Sequence, residues 1–326
     1  MARVSAVLLL ALTLGLSACA STRTGAGLVE PYSAELARGA QPFPYIALHE
    51  QRGRRLGFVA ADHTIDPASA TMAAIRQAFD EVRPAKVIIE GFPTEMGESP
   101  GAIRDIVEEA HLPEGEPYGR GEAGYAARLA MAAGVPFIGG EPTESVQTQA
   151  LLTQGFSAKD IFFTDLLKLL PQSIRGGEIS GPSDARFEDV FARWTVSLAI
   201  ERENPPRLNL DDFAEWYLDQ YGVDYRIDAR FEQRADPNAE GVVGRILRAQ
   251  GLVRDRHLYG VIMEALKKRE RVLVVYGGTH HATLAPALTA ALGPARLTPG
   301  ASMAAAAPSA PSASTPAAAS ISAGGD

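Results

Sequence analysis

The chain has 326 residues, of which 46% are hydrophobic and 21% charged, with a formal net charge of -8 and a single cysteine. That length supports one large core with appendages at its ends. The acidic balance, with no Lys/Arg-rich run, excludes nucleic-acid backbones as partners, because these require a clustered positive face. One cysteine excludes an internal disulfide.

The first residues, Met1-Ala2-Arg3, lead into the apolar run Val4 to Leu16 and then Leu16-Ser17-Ala18-Cys19. A charged start, an apolar stretch short for a bilayer and small residues before a cut point describe a secretory signal over residues 1–18. The Leu-Ser-Ala-Cys ending resembles a bacterial lipobox. That resemblance implies lipid on Cys19, and so a protein anchored in the cell envelope, facing the periplasm, most naturally at the outer membrane. Residues 19–41 read as a flexible tether, and residues 298–326, almost wholly Ala, Ser, Pro and Gly, as a disordered tail. A single domain is expected over residues 42–297.

Within it, Leu56 to Ala61 is a strand running into Asp62-His63. Asp66-Pro67 reads as the cap and first position of a helix whose stripe is Met72, Ile75, Ala78, Phe79 and Val82. The strand Ala85 to Glu90 follows, so that Leu56 to Val87 forms one parallel βαβ unit. Gly91 to Gly121 is a long loop with a short helix near Ala102 to Ala110; Glu122 to Ala133 is a helix, and Pro136 to Gly140 a strand ending at Glu141. Residues 143–250 turn helical, with a Ser157-x-x-Asp160 capping box, and read as a helical insertion before the last core strand. Val253 to Lys268 is a further helix, Val272 to Tyr276 the most strand-like run, and Thr283 to Leu292 the final helix. The fold class predicted is α/β: a central, mostly parallel sheet flanked by helices.

Four strands thus end in His63, Glu90, Glu141 and Gly277-Gly278-Thr279-His280-His281. Carboxyl ends of strands in an open α/β sheet converge on the crevice where ligands bind. Imidazole and carboxylate together either ligate a metal or form a base with its orienting partner. His280 stands near a helix start, whose positive end favours a neutral ring. Arg254 is placed to open a helix pointing at the same edge, where it pairs with Glu90 or Glu141 or holds an anionic group.

A His after an early strand, a Glu ending the next, a Gly-x-x-His after a late strand (Gly277 to His280) and an Arg-initiated helix (Arg254) resemble the superfamily of TraB, the TIKI-type proteases, ChaN and the erythromycin esterases. Glu141 matches a second strand-end Glu of the TIKI and TraB branch; Ala60 stands where the early motif has Gly. The resemblance implies a membrane-anchored hydrolase of peptide, ester or amide bonds, acting on a small molecule or peptide. Its catalytic residues would be His63, Glu90, His280 and Arg254. In a metal-dependent form His63, His280 and Glu141 would ligate Zn, Mn or Co; in the esterase branch a His paired with Glu90 activates water directly. The ChaN branch implies instead a lipoprotein that binds heme or a metal without catalysis. The sequence leaves these alternatives open.

Overall fold

The computed structural model describes residues 25–109, 121–200, 202, 204–268 and 271–300. The signal segment, Cys19 and the tail from residue 301 lie outside the described residues.

A 3₁₀ turn, Gly25–Leu28, and a short helix α1 (Ala34–Gly39) come first. Part of the expected tether is therefore packed: Val29 is buried in the core, and the Glu30 N–H donates to the Thr283 carbonyl at 3.0 Å. Next, β1 (Tyr45–Gln51) and β2 (Arg54–Ala61) form an antiparallel hairpin. Its two turn residues, Arg52 and Gly53, have φ of 52° and 80°, the pair of positive values that matches the twist of a tight hairpin. Helix α2 (Ala70–Val82) is capped by Ser69 rather than Asp66, since the Ser69 hydroxyl accepts the Met72 N–H while Asp66 caps the preceding turn at Ala68. The chain continues through β3 (Lys86–Pro93), α3 (Gly101–Glu109), α4 (Gly121–Ala132) and β4 (Phe137–Glu141).

Helices α5 (Glu144–Thr153), α6 (Ala158–Arg175), α7 (Phe187–Ile200) and α8 (Leu210–Tyr221) follow. They share an aromatic core containing Phe163, Phe187, Phe213, Trp216 and Tyr217. Helix α9 (Val242–Lys268) is continuous over 27 residues, about 40 Å at 1.5 Å per residue. It joins the two cores, with Val243 among those aromatics and Ile262 and Leu266 under the sheet. The helix expected to start at Val253 thus begins eleven residues earlier. Gly251 lies inside it without breaking it. The chain closes with β5 (Arg271–Gly277), α10 (Gly278–Leu292) and β6 (Arg296–Pro299). Because β6 pairs with β1 from Leu48↔Arg296 to Tyr45↔Pro299, Thr298 and Pro299 are an edge strand, not the start of a tail.

The fold is α/β, a six-stranded, mostly parallel sheet of order β4-β3-β5-β2-β1-β6 with helices on both faces. Both faces being covered, the central strands are near-continuous apolar runs. Strand β5 shows why both sides close: Leu273 and Val275 pack with α2 and α4, while Val272, Val274 and Tyr276 pack with α9 and α10. The expected βαβ pair, β2 and β3, is parallel but not adjacent. β5 lies between them, with Leu273 opposite both Gly57 and Val87. No helix among the described residues is long and apolar enough to cross a membrane.

Candidate functional site

The strand order has a direct consequence at the carboxyl edge. With β5 central, the turn Gly277-Gly278 is flanked by the end of β2, which carries His63, and by Glu90 of β3. Glu90 turns one oxygen, Oε2, to the Gly277 N–H at 2.6 Å. Its other oxygen, Oε1, lies 3.0 Å from Arg254 Nη2 and 3.5 Å from His280 Nε2. From the end of β4, Glu141 receives Arg254 in a fork, with Nε donating to Oε2 at 2.7 Å and Nη2 to Oε1 at 2.5 Å. Planar guanidinium suits this bidentate pairing in a way an ammonium does not. Arg254 therefore ties two strand ends together. It does so from the interior of α9, which corrects its expected place at a helix start.

Each imidazole is held by a carboxylate through Nδ1. His280, in the first turn of α10, bonds Asp255 Oδ1, whose second oxygen accepts the Thr283 hydroxyl at 2.7 Å. His63 Nδ1 donates to Glu122 Oε1 at 2.5 Å, and Glu122 Oε2 accepts the Thr64 N–H at 3.3 Å. His63 Nε2 then hangs over the strand end: a Cβ built on Gly277 would lie 2.8 Å from it and 3.4 Å from Glu90 Oε2. The two rings differ in access, the His63 side chain being 67% exposed and that of His280 12%.

Burial alone would raise the Glu90 carboxyl, but His280, Arg254 and the Gly277 N–H outweigh it and hold it well below the usual range. Glu141 is likewise lowered, its burial outweighed by Arg254. For His280 burial opposes the charge, yet Asp255 and Glu90 prevail and push its pKa up to about 10. This reverses the expectation of a neutral ring: two carboxylates at hydrogen-bond range outweigh the field of the helix N-terminus. His63 is also raised, chiefly by its bond to Glu122. Tyr276, raised by burial, brings its hydroxyl so close to the end of β4 that a Cβ on Gly140 would meet it at 2.3 Å.

The expected metal set of His63, His280 and Glu141 does not fit an ion as arranged. Both Glu141 oxygens are engaged by Arg254, and no group of three or more His, Cys, Asp or Glu among the described residues is placed to hold a metal. The four expected catalytic residues do come together. Sequence reasoning missed the two orienting carboxylates, Glu122 and Asp255. Asp255 carried a usable signal, an acid beside Arg254 on the same helix turn; Glu122 carried none, being a first-turn acid after a long loop. His281 instead turns into the core, where Tyr45 Oη meets its Nδ1 at 2.8 Å. His257 bonds Thr94 Oγ1 at 2.9 Å, and His49 Nδ1 donates to the Gly293 carbonyl at 2.8 Å.

Comparison with known proteins returned no matching family model, no matching characterised protein and no matching solved structure.

Proposed function

We propose that the chain is a hydrolase of ester, amide or peptide bonds, anchored in the cell envelope by lipid on Cys19, with His63 as general base. The observation that carries this reading is the exposed His63 ring, fixed at Nδ1 by Glu122 so that Nε2 projects beside Gly277 and Glu90. A base oriented by a carboxylate is the arrangement that activates water or a hydroxyl in acyl transfer. His63 Nε2 takes a proton from water as the water oxygen bonds the substrate carbonyl carbon. The same proton then goes to the leaving group as the bond to the acyl carbon breaks. Glu122 and Glu90 favour the imidazolium that forms in between.

Donors for the developing oxyanion are at hand. Helix α10 starts at Gly278 with no side-chain cap on Gly277, and its first-turn N–H groups form the positive end of a 15-residue helix beside His63. Such donors are worth about 3 kcal/mol each when aimed at the oxyanion. Arg254 and His280 hold Glu90 in place. Like the erythromycin-esterase branch in the resemblance drawn above this route needs no metal, but the carboxylate that orients its base is Glu122 instead of Glu90; soluble esters or peptides are its substrate class.

The test is a panel of chromogenic acyl esters and amides with the purified chain and His63→Gln. Turnover by the parent and a loss of a hundredfold or more in the variant, at unchanged melting temperature, supports the assignment. Equal turnover by both removes it.

A further inference from the structure

We infer that the opposite edge of the sheet, where the parallel strands begin, is a docking face for an anionic bilayer surface. Its arginines are spread along the sequence, and the fold gathers six of them from four separate segments. Arg52, Arg54 and Arg55 come from the β1–β2 hairpin, Arg83 from the end of α2, Arg271 from the start of β5 and Arg296 from the start of β6. Arg55, Arg83 and Arg271 line a cavity of about 650 Å³ together with Asp80 and Glu81.

Part of this charge is structural. Arg55 Nη1 donates to the Glu81 carbonyl at 3.1 Å and Arg271 Nε to the Arg83 carbonyl at 2.7 Å, which satisfies the open end of α2. Arg55 also pairs with Glu50 at 2.5 Å, and Arg296 with Glu81. Arg52, Arg54 and Arg83 are exposed, and no side-chain hydrogen bond or ion pair engages them among the described residues. On a chain of net charge -8, six arginines against Glu50, Asp80 and Glu81 make this a face of opposite sign to the whole. Such a face is drawn to anionic headgroups and repelled by little of its own surroundings.

Reach selects the bilayer as the occupant, and this step rests on the lipid-anchored reading. Gly25 stands against Tyr259 of α9. From Tyr259 to Lys268, where α9 ends at the basic edge, is about 13 Å along the helix. Cys19 and Gly25 are separated by a chain that spans at most about 20 Å. A lipid on Cys19 therefore reaches the plane of the basic edge, and lipid plus basic patch is the two-signal attachment that holds a protein on a membrane. Docked this way, the His63 edge stands one strand length, roughly 25 Å, away from the headgroups. It then faces the aqueous compartment, and the proposed hydrolase takes soluble rather than membrane-embedded substrates.

The experiment uses the chain without its signal segment, residues 19–326 carrying Cys19→Ala, so that the face is read without lipid or the apolar signal, in co-sedimentation with phosphatidylcholine vesicles and with vesicles also containing phosphatidylglycerol. Binding is expected only to the anionic vesicles, and is weakened when salt is raised from about 20 to about 300 mM. Each arginine near such a surface is worth about fivefold, so Arg52→Glu/Arg54→Glu/Arg83→Glu should bind at least tenfold more weakly. The charge-matched Arg175→Glu/Arg207→Glu/Arg230→Glu, at exposed positions elsewhere, should bind nearly as the parent does. No binding by the parent, equal binding to neutral vesicles, or equal loss in both triple variants would overturn the inference. Mass analysis of the mature chain with Cys19 intact reports separately on the anchor: an unacylated Cys19 with anionic binding intact removes the anchor and leaves the face.

Discussion

Gly277→Ala isolates the geometry of His63 from everything else at the strand ends. Gly277 has φ -50° and ψ 139°, a conformation open to any residue, so alanine introduces no backbone strain. Its N–H still bonds Glu90. What changes is space: the new Cβ stands 2.8 Å from His63 Nε2 and 3.1 Å from its Cε1. Non-bonded heavy atoms settle near 3.5 Å, so the ring must withdraw by about 0.7 Å. Being largely exposed, it can swing outward, and the stability cost should stay within about 1 kcal/mol. A shift of that size at a reacting atom costs on the order of a hundredfold in rate. The measurement is kcat/KM on the best ester of the panel, with thermal melting and a histidine NMR titration in parallel. A hundredfold loss at near-constant melting temperature is expected, with the His63 resonance titrating lower as the ring moves away from the charge of Glu90. A variant as active as its parent, with His63 demonstrably moved, would show that Nε2 has no part in the reaction.

Glu122→Gln removes the largest cause of the raised His63 pKa; the acid limb of the pH–rate profile, where the base gains its proton, should move down in pH, and a profile fixed in place would separate His63 from that limb. Arg254→Met leaves Glu90 and Glu141 buried without their shared cation, and should destabilise the fold by about 3–5 kcal/mol at pH 7. In the parent both carboxyls titrate below their ordinary value, so their contribution is present above about pH 4.5 and lost on acidification; the variant should recover part of its deficit there in urea unfolding. Burial depresses His281 to about 3. Its neutral ring therefore adds stability that is full above about pH 6.5 and lost as pH falls towards 3, on the order of 5 kcal/mol. His281→Leu should flatten that acid slope relative to the parent, in equilibrium unfolding followed from pH 7 to 4.

The sequence made the site legible because the rule involved is local. An apolar run of strand length ends at an identifiable residue, and parallel strands send their ends to one edge; His63, Glu90, Glu141 and His280 needed nothing more. Strand order is long-range, and no local pattern encodes that β5 enters between β2 and β3. The contact of His63 with Gly277, and hence the need for glycine there, was invisible for that reason. Strand β1 escaped notice because His49-Glu50-Gln51 ends it in polar residues and its register depends on the Arg52-Gly53 turn. Arg254 was placed on the right element and with the right partners, Glu90 and Glu141, but at the start of the helix instead of its interior: a helix that runs through Gly251 has no local sign of its continuity. Glu122 could be recognised only once α4 was known to start beside Thr64.

The charges at the strand ends divide the labour between the two imidazoles. Glu90, Glu141 and Asp255 are three buried or half-buried carboxylates, and Arg254 supplies one compensating charge. Deprotonating His280 would leave two of the three uncompensated in a medium where unpaired charge is costly, so its proton is held until pH is near 10. A ring that keeps its proton across the neutral range cannot act as general base there. With Arg254 it holds Glu90, and Glu90 holds the turn at Gly277. In the proposed hydrolase the role of base then falls to His63, which has a single carboxylate on Nδ1, an open Nε2 and access to solvent. The asymmetry predicts different losses from the two substitutions. His63→Gln removes the proton acceptor and spares the fold, whereas His280→Gln leaves Asp255 and Glu90 short of a cation and lowers stability and rate together. Unfolding and kinetics measured on both variants decide it: a stable, inactive His280→Gln beside an active His63→Gln would exchange the two roles.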